Sequence, residues 1–254
     1  METKTLFISS SSIKTVLQCL ADAIGDDILA DICENDLQTR NSVSSRIWDL
    51  FNRNLIKAIN KDDFIIIPSN RGPWEMLILY HKPSQNIFTF MREKRFTELQ
   101  KRQKNRKRMH YVDMLAKQFN KDLLPINQQI CLFSHSFSDD DKLEILVEKL
   151  LHAFNSDTNI INNHVLVLFS TSNYQLMSVR AVMVTPTLDI ARGSEQDWSQ
   201  YIPNNESIIV EKVDQPKTPE NQPNRGLTLK TKAITRKNKK LKLKSSDNSS
   251  TQTS

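Results

Sequence analysis

The chain has 254 residues, 38% of them apolar, and a formal net charge of +6. That allows one large domain or two small ones with tails, and no stretch approaches the roughly eighteen apolar residues of a membrane span. Its four glycines, Gly25, Gly72, Gly193 and Gly226, are too scattered to cradle a phosphate on backbone amides. A P-loop, a dinucleotide-binding fingerprint and a kinase glycine-rich loop are therefore excluded.

Ser12 stands where a helix cap is expected, ahead of Ile13, Val16, Leu17, Leu20 and Ile24 at helical spacing. Gly25 interrupts this helix. Asp26, Asp27, Asp31, Glu34 and Asp36 line the polar face of a second one, opposite Ile28, Leu29, Ile32 and Leu37. A third starts at Asn41 and Ser42 and carries Val43, Ile47, Leu50, Phe51, Leu55 and Ile59 on its apolar side.

The pattern then changes to strands. Phe64-Ile65-Ile66-Ile67 predicts a strand that stops at Pro68. Turn residues over 69–73, a run over 74–80, a second turn over 82–86 and a run over 87–91 complete a three-stranded antiparallel meander. A helix is expected to open near Arg92 with Phe96 and Leu99 inward. Helical anchoring resumes at Met109, Val112, Leu115 and Phe119. Residues 100–108 contain nothing apolar and read as an exposed helical stretch or as a loop joining two helices.

Further on, the pattern predicts a strand over 129–134. A helix capped at Ser138 follows, with Leu143, Leu146, Val147, Leu150 and Leu151 inward. Hairpin strands are expected over 165–169 and 176–184, joined across 170–173, and a last strand over 207–213. Strands and helices do not alternate one for one, so the expected class is α+β with a mainly antiparallel sheet. The expected organisation is an N-terminal helical segment (1–62), an α+β core (63–213) and a disordered basic tail (214–254).

Positive charge is gathered into two blocks. Residues 92–108 hold Arg92, Lys94, Arg95, Lys101, Arg102, Lys104, Arg106, Lys107 and Arg108 against Glu93 and Glu98, a local charge of +7. Residues 225–244 carry nine cations and no acid, which leaves the rest of the chain at −10. Such segregation makes local fields that a polyanion feels. Trp74, Phe90, Phe96 and Tyr111 flank the first block, and aromatic faces stack on unpaired bases. In Arg71-Gly72-Pro73-Trp74 the turn arginine stands beside the tryptophan. Together they either clamp a phosphate or, the preferred reading, let Trp74 close one end of the core.

Two catalytic constellations are also on the page. Glu75 on one predicted strand and Glu93 at the end of the next but one, beside Lys94 and Arg95, suggest a carboxylate pair holding Mg²⁺ in a nuclease, although the spacing is not Glu-x-Lys. His110, three residues before Asp113, suggests a metal-free acid/base whose ring the carboxylate orients. The histidines show no zinc-ligand spacing. Cys19, Cys33 and Cys131 each fall within an apolar pattern and read as reduced core thiols.

The marks Arg71-Gly72-Pro73-Trp74, Phe90-Met91-Arg92-Glu93-Lys94-Arg95-Phe96 and His110-Tyr111-Val112-Asp113 resemble an uncharacterised family of bacterial proteins over about residues 71–120. The resemblance implies a bacterial cytosolic setting and no particular activity. The leading expectation is a cytoplasmic nucleic-acid-binding protein that uses residues 92–108 and the tail, with no cofactor. The alternatives are an RNA or DNA nuclease acting as a toxin or defence component, and a module whose basic blocks dock an acidic partner or the chain's own acidic helices.

Overall fold

Three helices come first: α1 (Ser10–Ile24), α2 (Asp26–Glu34) and α3 (Val43–Ala58). The cap of α1 is Ser9, not Ser12. The Ser9 hydroxyl accepts the Ser12 N–H at 3.1 Å, and Ser12 is itself buried inside the first turn. Between α1 and α2 the chain is tightly packed: a Cβ on Gly25 would stand 3.2 Å from the Ala21 carbonyl oxygen, a contact that needs a small backbone shift. Only Ile28 of α2 is fully buried. Its acids turn to α3, where Asp27 meets Arg53 at 3.1 Å and Asp31 meets Arg46 at 2.7 Å. The acidic face is thus matched by arginines of α3 rather than, among the described residues, by the block at 92–108. Cys33 lies exposed on this helix, contrary to expectation. Cys19 is buried, and that burial, reinforced by the Asp22 charge, pushes its thiol up to about 11.

The computed structural model describes residues 8–71, 74–103, 106, 109–125, 140–154 and 158–203. The strand expected over 129–134, the cap at Ser138, the strand over 207–213 and the basic tail lie outside these residues.

β1 (Phe64–Arg71), β2 (Trp74–His81) and β3 (Asn86–Arg92) form the antiparallel meander. β1 does not stop at Pro68. It is the edge strand of the sheet, a place where the missing N–H of proline is tolerated, and it runs on to Arg71. The chain then leaves the sheet through α4 (Glu93–Lys101), α5 (Tyr111–Phe119) and α6 (Asp140–Leu150), and returns in β4 (Asn163–Ser172). Met109, expected as an anchor of α5, precedes the helix and is 37% exposed. β4 pairs with β3 in parallel, as a helical crossover requires. β5 (Gln175–Met183) and the short β6 (Gln196–Asp197) extend the sheet antiparallel. The order is β1-β2-β3-β4-β5-β6, in an α+β fold with one parallel pairing. β4 runs on to Ser172, through three of the four residues expected to turn, and the hairpin closes at the fourth, Asn173, and at Tyr174, both at positive φ.

Strand side chains alternate between the two faces. Phe88, Phe90, Val165, Val167 and Phe169 pack against α1–α3. Ile87, Met91, Leu166 and Leu168 pack against α4–α6. The three N-terminal helices therefore share a core with the strands. Asn120 fixes the far end of α5 to the sheet: its amide donates to the carbonyls of His164 and Val184, and its oxygen accepts the His164 N–H at 2.9 Å. The His164 ring is fully buried, with Nε2 2.8 Å from the Thr89 hydroxyl, and burial pushes it down to about 3, so it is neutral in the fold. No helix among the described residues is long and apolar enough to cross a membrane.

Candidate nucleic-acid interface

β2 and β3 pair only over Leu79↔Phe88, Tyr80↔Ile87 and His81↔Asn86. Beyond that the strands part. The first half of β2 ladders only with β1, and the second half of β3 only with β4. Side chains from both layers fill the resulting wedge. From the α5 side the Tyr111 hydroxyl donates to the Phe90 carbonyl at 3.5 Å. From the α3 side Phe51 meets Phe90 edge-on, with ring centroids 4.9 Å apart. Trp48 is braced in turn by Phe51 at 6.2 Å and by Phe169 at 5.7 Å. A cleft of about 280 Å³ opens above this aromatic floor. Trp74, 41% exposed, stands on its wall. It does not close the core, because it sits where β2 has lost β3 as a neighbour.

The polar lining has an unusual balance. Arg92, Arg95, His110 and Glu75 all reach the cleft. Arg95 is exposed and leans on Glu98 one turn away at 3.2 Å, a surface pair that holds little energy. Arg92 is different. It ends β3, its Nε is buried without a hydrogen-bond partner, and no carboxylate among the described residues meets it. Burial alone acts on the group and holds its pKa below the ordinary arginine value. The guanidinium is half-buried, and a buried Nε left without a partner is costly; an anion entering the cleft would relieve part of that cost.

His110 caps α5. Its Nδ1 accepts the Val112 N–H at 3.3 Å. Asp113 does not act as the expected orienter of the ring. Its carboxylate accepts the His110 backbone N–H at 2.8 Å and both terminal nitrogens of Arg106, at 2.6 and 2.8 Å. The helix start needs an acceptor for its free amides, and the chain ahead of it needs an anchor; Asp113 supplies both. Arg106 is thereby matched internally and withdrawn from the set of open cations.

Glu93 is not brought into the cleft with Glu75. It pairs with Arg180 of β5, which also holds Glu195 at 2.7 Å, and these bonds raise the Arg180 pKa. The Glu75–Glu93 metal pair is therefore not assembled, and no group of three or more His, Cys, Asp or Glu side chains among the described residues is placed to hold a metal ion. Lys94, Lys101 and Arg102 are exposed on or just after α4. The Arg71 side chain, Lys104, Lys107 and Arg108 lie outside the described residues.

α3 adds Ser44, Trp48, Phe51 and Asn52 to the cleft; the sequence pattern placed Phe51 in the core and gave none of the four a place in a site. The usable signal was Trp48. It is only partly buried, beside the apolar stripe of Ile47, Leu50, Phe51 and Leu55.

Fold and site together define a mixed-sheet α+β protein, helices on both faces, whose candidate site is the cleft left where β2 and β3 separate. The chain belongs to a family of unknown function (DUF5986), whose model matches residues 6–245, well beyond residues 71–120. Comparison with curated proteins found no match, and comparison with solved structures found none.

Proposed function

We propose that the protein binds nucleic acid and that an unpaired nucleotide enters the cleft between β2 and β3. The supporting observation is the unmatched Arg92 guanidinium beside an aromatic floor. Arginine meets phosphate, aromatic faces stack on bases, and neither contact selects a sequence. The cleft is too small for a stacked duplex, which favours single strands. Arg95, Lys94, Lys101 and Arg102 would attract the flanking phosphates, and the nine cations of residues 225–244 would add non-specific affinity. The same reading puts the protein in the cytoplasm, where Cys19 and Cys33 stay as free thiols. The deciding experiment compares Arg92→Met with the parent for affinity to a labelled single-stranded oligonucleotide.

A second reading, cleavage of RNA without a metal, has one observation in its favour: Glu75 and His110 line the same cleft as Arg92. A carboxylate and an imidazole on either side of a held phosphate can serve as base and acid. Labelled RNA incubated with the protein in chelator should then be cut. His110→Ala should lose at least about 100-fold in rate while binding is kept. RNA that stays intact over hours ends this reading and leaves the binding proposal in place.

A further inference from the structure

A second cavity adjoins the cleft, and Arg92 borders both. It has a volume of about 340 Å³ and is formed where the α2–α3 connection and the first turn of α3 meet the tip of the β4–β5 hairpin. Its polar lining is Arg40, Ser44, Arg92, Thr171 and Tyr174; among the described residues no carboxylate borders it. Two guanidinium groups and three hydroxyls without an acid are a donor set for a tetrahedral oxyanion.

Arg40 is aimed rather than loose. Its Nη1 donates to the Tyr174 hydroxyl at 3.1 Å, and its guanidinium carbon lies 6.0 Å from the centre of the Tyr174 ring. Tyr174 holds that ring from the second left-handed position of the hairpin turn, at φ 60, where glycine is the usual residue. The strained backbone is offset by packing of the ring against the core under α1–α3.

We propose that this cavity is a phosphate subsite that takes the phosphate of the nucleotide whose base occupies the neighbouring cleft. The proposal rests on the nucleic-acid reading and adds a chemical requirement to it: recognition of one nucleotide through its base on one side of Arg92 and its phosphate on the other. Arg40 is the specific contact. It is exposed and lies outside the helices, so its removal leaves the fold intact.

The test uses the full chain with three probes, adenosine and its 5′- and 3′-monophosphates, followed by ligand-observed proton and phosphorus NMR. At least one monophosphate should bind about tenfold or more tightly than the nucleoside, the gain expected from one charge-assisted contact. Arg40→Ala should erase that difference and leave the adenosine affinity unchanged. Equal affinities for nucleoside and monophosphates, or a difference that survives Arg40→Ala, would overturn the subsite. If the monophosphates show no binding while a single-stranded oligonucleotide still does, the subsite falls and the nucleic-acid reading stands. If neither binds, both fall.

Discussion

Arg92→Met is expected to weaken binding of a single-stranded oligonucleotide by about 10- to 100-fold, the range for losing a hydrogen bond to a charged group. The same substitution is expected to leave the fold at least as stable as the parent. These two outcomes are opposed for an ordinary structural arginine, whose loss breaks an internal pair and destabilises the protein. Among the described residues Arg92 has no internal pair to lose: its Nε is buried without a partner, and burial is the influence that lowers its pKa. Methionine keeps the apolar stem and removes the unmatched charge, so a desolvation cost disappears from the folded state. Lys101→Met is the control. It removes an equal charge from an exposed site on α4, and counterion release alone makes that a change of at most about fivefold near 0.15 M salt. Fluorescence anisotropy at fixed ionic strength and urea denaturation measure the two quantities. Equal losses for the two variants would mean that binding is a diffuse property of the basic surface.

Asp113→Ala is expected to cost about 3 kcal/mol of stability, near the lower end for breaking a buried ion pair. The carboxylate is 5% exposed and its partner Arg106 is largely buried. Removing it strands that guanidinium and leaves the His110 N–H without its acceptor, so the loss combines an unpaired charge with a broken helix cap. Asp113→Asn can still accept from the cap N–H and should recover about 1 kcal/mol of the loss. The shift of the urea midpoint reports both. A change below about 0.5 kcal/mol for Asp113→Ala would mean that the Arg106 pair does not persist in solution and that the cation is open to ligands after all.

How far the sequence carried the reading depends on the range of each interaction. The meander β1–β3 was legible because alternation and turn residues are local signals, and so were Phe96 and Leu99 as the inward side of α4. Pro68 misled because whether a strand tolerates proline depends on whether it lies at the edge, and edge position is decided by strands far away. The parallel pairing of β3 with β4 is set by residues 77 positions apart and had no local signature. At the site, Arg92, Arg95, Trp74, Glu75, His110 and Tyr111 were named from charge, aromatic content and chemistry, and they do line one cleft. Which cations are open was not legible. Arg92 and Arg106 look alike in the chain, yet Asp113 reaches one of them and nothing described reaches the other. The contribution of α3 was hidden because Trp48 and Phe51 fit an amphipathic helix equally well as core residues or as the floor of a site.

The location of the bound strand can be read most directly by ultraviolet cross-linking. A uniform single-stranded oligonucleotide is cross-linked to the full chain, and the adducts are mapped by peptide mass spectrometry. The account predicts adducts on peptides that carry Trp74, Phe90 and Tyr111, depleted in Arg92→Met. Adducts confined to residues 225–244, with none in β2, β3 or the start of α5, would contradict it.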